Sequence, residues 1–169
     1  VLFYIVKIDT GRFGLGSSTV TVTDTHSGGM SYVNGSAAVL RSTSTGAVYG
    51  TDTTSDEKAW VTDAVTDPEI EGNTMTFSLN NLTGNAADGK PYVYYLYYRM
   101  QLDENHFTSK DGENLTNTAT VTTDDNRTAT TGTLYYFYKN PVLSKIENQY
   151  PASSNGYKAG FEITVPART

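Results

Sequence analysis

The stretch PYVYYLYYRMQL, residues 91–102, carries the clearest secondary-structure signal in the chain. Every second residue from Tyr92 to Met100 is large and apolar, and this period of two predicts a β-strand whose one row of side chains faces a core. The intervening row, from Val93 to Arg99, holds two more tyrosines. The strand is therefore expected to carry apolar side chains on both faces.

Similar alternation recurs along most of the chain, and turn signals such as Asn34-Gly35 separate the alternating runs. Many short strands of this kind predict an all-β protein, an Ig-like antiparallel β-sandwich. One segment, TSDEKAWVTDAV at 54–65, is instead compatible with a short turn of helix or a loop that caps the core. The other predicted strands are LFYIVKID (2–9), STVTVTDT (18–25), NTMTFSLNNL (73–82), LTNTATVTT (115–123) and TGTLYYFYK (131–139).

Composition excludes several classes of function. The net charge of −6 gives no electrostatic reason to bind nucleic acid. The chain has no cysteine for a disulfide or a thiolate metal site, and no apolar run approaches the ~20 residues that span a bilayer. The acidic loop around His106 matches no EF-hand spacing, and His26 has no nucleophile elbow nearby. We expect no cofactor, no metal, no membrane insertion and no enzymatic activity.

The run VTVTDTHSGGMSYVNGSAAV, residues 20–39, resembles the Ig-like repeats of bacterial surface proteins. These families include the collagen-adhesin A-type and fimbrial isopeptide-forming domains and the related stalk repeats. The later motifs TFSLNNL, YVYYLYYRMQL and LTNTATVT resemble the next strands in the same order, so the resemblance covers about residues 1–125 and extends toward 140. It implies an extracellular, cell-surface structural module of an adhesin stalk, pilus or filament. The implied partners are copies of itself or neighbouring repeats, and a host or glycan ligand.

The C-terminal segment resembles the beginning of a further repeat. PVLSKIENQ at 141–149 and the strand-like FEITV at 161–165 fit the opening of such repeats. We expect residues 1–140 to form a sandwich that lacks its usual leading strand. Residues 141–169 then either start a following repeat or provide a strand that completes a neighbour's fold or their own, because an incomplete sandwich exposes an unpaired edge.

The resemblance also implies a Lys–Asn isopeptide bond with a carboxyl as proton shuttle. Asp24 and Asn117 fall on predicted inward faces and occupy places that resemble the family's acid and amide positions. Two lysines are candidates: Lys7 departs from the family's spacing, whereas Lys145 fits the leading-strand position. Two other interpretations stay open, namely an ordinary unlinked repeat and a buried, unlinked Lys7 with Asp24 as its counter-ion.

Two surface features complete the predictions. Tyrosines on the second face of their strands could form a binding surface for carbohydrate or protein, and this gives an alternative function, a ligand-binding module. Its candidate residues are Tyr95, Tyr97, Tyr136 and Tyr138. Four asparagines begin N-x-S/T sequons and are candidate glycosylation sites: Asn34, Asn81, Asn114 and Asn126.

Overall fold

The computed structural model describes residues 1–13, 18–43, 58–107 and 112–138, with the backbone of 162–163. Two β-sheets account for almost all of the regular structure in these residues. A four-residue helix, α1 (Thr10–Phe13), follows the first strand. No helix in the described residues is long and apolar enough to cross a membrane.

Sheet A forms around the two strands with the most apolar sequences. β1 and β8 pair antiparallel over eight residues, from Leu2 opposite Met100 to Asp9 opposite Val93. The order across the sheet is β12-β1-β8-β4-β5, and β3 also pairs with β8. Its strands are β1 (Leu2–Asp9), β3 (Met30–Tyr32), β4 (Ala38–Ser42), β5 (Lys58–Trp60), β8 (Val93–Leu102) and β12 (Glu162–Ile163).

Sheet B is built from the threonine-rich strands. Its order is β10-β9-β2-β7-β6, and β11 also pairs with β9. All pairings within it are antiparallel. Its strands are β2 (Val20–His26), β6 (Glu69–Glu71), β7 (Thr74–Leu79), β9 (Glu113–Thr123), β10 (Thr128–Thr130) and β11 (Leu134–Tyr138).

The core lies between the two sheets and confirms the predicted β-sandwich. The inward row of β8, from Tyr94 to Met100, packs together with the preceding Tyr92 against the inward rows of sheet B, which include Val22 and Phe77. A second, smaller cluster lies on the outer face of sheet A. It contains Ile5, Leu40, Val93 and Tyr95, all of which are buried.

The segment around Trp60 differs from its predicted structure. Lys58–Trp60 forms strand β5, which pairs antiparallel with β4 and places Trp60 opposite Leu40. The indole is exposed, but Ala64 further along the segment is buried in the core and Val61 and Val65 pack against it, as the alternative of a loop that caps the core predicted. Residues 54–57 of the predicted segment lie outside the described residues, and from Lys58 on pairing with β4 outweighs the local helix propensity.

Candidate functional site

A buried carboxyl group is the most unusual feature of the interior. Asp24 lies in the inward row of β2, beyond Val20 and Val22, and none of its surface is exposed. Both of its oxygens accept hydrogen bonds from side chains. The Tyr98 hydroxyl donates to Oδ2 at 2.6 Å, and Nδ2 of Asn117 donates to Oδ1 at 2.9 Å. These bonds compensate for the removal of the carboxyl group from water.

Three strands from both sheets build this cluster. Asp24 is opposite Ala119 on β9, two residues from Asn117, so the acid and the amide are diagonal neighbours on one face. Tyr98 reaches them from β8 across the interior. Its ring stacks on Tyr4 of β1, with centroids 5.4 Å apart and an angle of 8° between the planes. The two rings form an apolar wall on one side of the carboxyl group.

Burial controls the acid–base behaviour of the cluster. Loss of contact with water raises the pKa of Asp24 to about 6, although the hydrogen bonds from Tyr98 and Asn117 and the nearby His26 lower it. Burial, and then the Asp24 charge, raise the pKa of Tyr98 well above its ordinary value. Asp24 therefore holds its proton more readily than a surface aspartate does, and it can give or take a proton near neutral pH.

A cavity of about 200 Å³ lies beside the cluster. It is enclosed by β1 of sheet A on one side and by β9, β10 and the start of β11 of sheet B on the other, so it lies at the side of the sandwich. Asn117 and Tyr98 are part of its wall. The remaining lining residues are Tyr4, Ile5, Val6, Lys7, Ala119, Val121, Ala129, Thr130, Thr131, Gly132 and Leu134. The Asn117 side chain is therefore next to a space that another group could enter.

The structure brings together two of the four residues predicted for the cross-link. Asp24 and Asn117 are in contact, as above. Lys7 also lines the cavity, but it pairs with Tyr95 and shares that residue's outer face of sheet A, opposite to the row of Tyr4 and Val6. Its position on the strand therefore directs Lys7 away from Asp24, which speaks against the interpretation in which a buried Lys7 is the counter-ion of Asp24. Lys145 lies outside the described residues.

Tyr98 is a member of the cluster that the sequence did not assign to the site. Alternation along PYVYYLYYRMQL places its side chain in the interior, but several tyrosines share that row. A buried tyrosine hydroxyl needs a hydrogen-bond partner, and this requirement is the signal that could have linked Tyr98 to Asp24.

The predicted tyrosine surface is corrected by the structure. Tyr95 and Tyr138 are buried, Tyr95 completely, whereas Tyr97 and Tyr136 are half-buried. Both faces of β8 are covered near Tyr95, so its ring cannot contact a ligand. The four residues also lie on different sheets and faces and do not form one patch. The exposed aromatic side chains of the described residues are Phe3, Trp60, Tyr135 and Phe137.

All four predicted glycosylation sites are exposed. Asn34 lies in the turn after β3, and Asn114 lies near the start of β9. Asn81 and Asn126 have positive φ angles of 59° and 60°, which asparagine adopts more readily than most residues. Their local conformation explains these asparagines without a glycan, so glycosylation stays a prediction.

Comparison with known proteins gives matches only among solved structures. No protein-family model matches the sequence, and no curated protein matches it. The collagen binding subdomain of the Enterococcus faecalis surface protein ACE matches with a TM-score of 0.45 and 7% identity, over 82% of this chain and 86% of that one. The collagen binding domain of Erysipelothrix rhusiopathiae RspB matches with a TM-score of 0.46 and 17% identity, over 82% and 41%.

A third match is a pilin. BcpA, the major pilin subunit of Bacillus cereus, gives a TM-score of 0.43 and 17% identity, over 70% of this chain and 29% of that one. The chain thus spans less than half the length of two of these three structures. Two of the three are collagen-binding domains of surface proteins, and the third is a pilin subunit.

Proposed function

We propose that this chain is a non-enzymatic structural module of a secreted or cell-surface adhesin stalk, pilus or filament. The observation that carries the proposal is the buried Asp24–Asn117 pair beside the cavity at the side of the sandwich. A buried, protonatable carboxyl group in contact with a carboxamide is costly for a fold that only has to be stable. The same arrangement is useful in a protein whose asparagine amide must react, because the carboxyl group can transfer the protons of that reaction.

The proposed reaction joins a lysine to Asn117. The neutral Nζ of the lysine attacks Cγ of Asn117, the bond from Cγ to Nδ2 breaks, and ammonia leaves as the isopeptide bond forms. Asp24 accepts the proton that the amine loses and passes it to the leaving nitrogen. Burial supports each step, because it keeps the amine uncharged and raises the pKa of Asp24 to about 6. Such a bond resists mechanical unfolding because it crosses the core covalently.

Lys145 is the lysine we favour. Lys7 begins on the outer face of sheet A, away from the carboxyl group. The cavity offers Asn117 a route from the side of the sandwich, at the edge of sheet A where residues 162–163 of the C-terminal segment lie beside β1. Lys145 belongs to the segment that resembles a leading strand. It can come from the same chain or from a neighbouring copy.

Strand complementation is the second part of the proposal. β12 pairs in parallel with β1, with Glu162 opposite Phe3 and Ile163 opposite Tyr4. This pairing adds a strand at the edge of sheet A beside β1, as is expected of a strand that completes a sandwich. The register supports a role for residues 141–169 as a complementing strand, supplied by the same chain or by its neighbour.

Intact mass under fully denaturing conditions tests the cross-link. The wild-type monomer should be lighter than its sequence by one ammonia, and peptide mapping should find Lys145 joined to Asn117. Denaturant-resistant multimers joined through the same two residues would show that the bond forms between copies. The Asn117→Ala and Asp24→Asn variants should give the unmodified mass.

A matched pair of lysine variants identifies the nucleophile. Lys145→Arg should abolish the mass loss, whereas Lys7→Arg should retain it. The opposite result would assign the reaction to Lys7. The full sequence mass in the wild-type protein, without multimers, would overturn the cross-link and leave a module held by strand pairing and packing alone.

A further inference from the structure

The outer face of sheet B is covered by rows of hydroxyl groups. Thr23 of β2 has Thr76 of β7 on one side and Thr120 of β9 on the other, and Thr120 is followed by Thr130 of β10. The hydroxyls of Thr120 and Thr130 are 2.9 Å apart. Parallel rows contain Thr21, Thr25, Thr74, Ser78, Thr118, Thr122 and Thr128. Hydroxyls both donate and accept hydrogen bonds, so this surface can bind hydroxyl groups of a ligand.

Two aromatic rings border these rows. Tyr135 and Phe137 of β11 are 71% and 56% exposed. They pair with Thr116 and Asn114 of β9, which places both rings on the outer face with the hydroxyl rows. They lie two residues apart, about 7 Å along the strand. Neighbouring exposed rings of this size are uncommon on a surface that binds nothing.

The position of Phe137 is fixed by a glycine. A Cβ atom at Gly112 would lie 2.5 Å from Cζ of Phe137, so the ring packs closely against the backbone there. Gly112 also has a φ of +83°, which a residue with a side chain rarely adopts. The ring is thus held in place before any ligand arrives, and a preorganised contact loses less entropy on binding.

The charge of this face narrows the class of ligand. In the described residues, the outward positions of β2, β7, β9, β10 and β11 carry no ionisable side chain other than the Tyr135 phenol. Charged side chains border the face at its far edge, where Glu69 and Glu71 of β6 lie opposite Thr76 and Thr74, and in the turn between β9 and β10, where Arg127 is already paired with Asp125 at 2.8 Å. A face without cations gives little affinity for nucleic acid or acidic polymers.

We infer that the outer face of sheet B binds a neutral polysaccharide. The rings of Tyr135 and Phe137 stack against the apolar C–H faces of the sugars, and the adjacent Thr116 and Thr118 hydroxyls bond to the sugar hydroxyls. The site lies on the opposite surface of sheet B from Asp24 and Asn117. It goes beyond the structural role proposed above and does not depend on the cross-link.

Affinity electrophoresis in native gels tests this site with the full chain. The probes are galactomannan, xyloglucan and dextran, with polygalacturonate as the acidic control polymer. The wild-type protein should be retarded by at least one neutral polymer more than by the acidic one. The double variant Tyr135→Ala/Phe137→Ala should lose about tenfold or more in affinity, the size of effect expected when anchoring aromatic residues are truncated.

A matched aromatic variant controls for loss of exposed rings in general. Trp60 is 62% exposed on sheet A, so Trp60→Ala should leave the retardation unchanged. Thermal unfolding establishes that each variant is folded, and all three side chains are exposed enough for this to be expected. Absence of retardation of the wild type by every neutral polymer, or equal retardation of the double variant, would overturn the inference. The mass measurement that tests the cross-link at Asn117 does not depend on whether the protein binds a polysaccharide.

Discussion

The two sheets differ in what lies on their faces. Sheet A is apolar on both sides at its centre, where Tyr95 and Leu40 on the outer face are as deeply buried as the core residues. Sheet B has threonines outside, and its inner face carries the polar pair Asp24 and Asn117. Sheet A thus supplies most of the aromatic bulk of the sandwich, and sheet B supplies its chemically distinctive groups. This contrast predicts that truncation of an outward side chain lowers the free energy of unfolding much more on sheet A than on sheet B.

Truncation of outward residues should give the largest effect. Tyr95→Ala removes a fully buried ring from sheet A and should lower the free energy of unfolding by about 3–5 kcal/mol. Thr23→Ala removes a partly exposed side chain from the corresponding face of sheet B and should cost about 1 kcal/mol or less. Urea unfolding at one pH measures both values. Thr23→Val, which keeps the β-branched shape, serves as the control and should be almost neutral.

Similar losses at the two positions would contradict the proposed contrast. They would mean that the outer face of sheet B is covered as fully as that of sheet A.

The sequence predicts sheet B better than sheet A. In VTVTDT and TMTFSL every second residue is a threonine or serine, so only one face can be apolar and the inward row is defined. Alternation then places Asp24 inside, as the structure confirms. β1 has apolar residues on both faces, and nothing in its sequence tells which face meets the other sheet. For this reason the sequence leaves open whether Lys7 faces the core, and the structure places it on the outer face.

The tyrosines illustrate the same limit. Sequence identifies which rings share a face, but exposure depends on which strands lie beside and above them. Tyr95 lies at the centre of sheet A, between β1 and β4, whereas Tyr135 lies on β11 near the end of sheet B. Strand order is set by contacts between distant parts of the chain, and alternation within one strand contains no information about it.

A smaller effect is expected from the inner face of sheet B, and it depends on pH. The pKa of Asp24 is about 6 in the folded protein and near 3.8 when the chain is unfolded. Between these values only the folded state binds the proton, so the stability that Asp24 contributes is fully present below pH 3.8 and is lost as pH rises through 6. The loss from this group is roughly 3 kcal/mol. Urea unfolding at closely spaced pH values measures it.

Asp24→Asn is the control for this pH dependence. Its carboxamide cannot titrate, so the fall in stability between about pH 4 and 6 should largely disappear. The change of the free energy of unfolding with pH is compared, and not its absolute value. Asp24→Asn also removes the proposed proton shuttle, so a loss of the cross-link would change the absolute value. If the slope persists in this variant, other groups are responsible for it.

The smallest effect concerns the contact that joins the two sheets, the hydrogen bond from Tyr98 to Asp24. This bond lowers the pKa of Asp24, so Tyr98→Phe should move the midpoint of the pH-dependent fall in stability above pH 6. The loss of one buried hydrogen bond should cost about 1–2 kcal/mol where Asp24 is ionised. Tyr94→Phe is the matched control, because Tyr94 is equally buried in the same row of β8 but its hydroxyl donates to the Thr83 carbonyl oxygen. It should destabilise the protein without moving the midpoint, although it removes two hydrogen bonds, because the Tyr94 hydroxyl also accepts one from the Thr83 N–H at 2.7 Å. If both variants move the midpoint equally, the pKa of Asp24 responds to the packing of the tyrosine row. The hydrogen bond from the Tyr98 hydroxyl would then not be what lowers it.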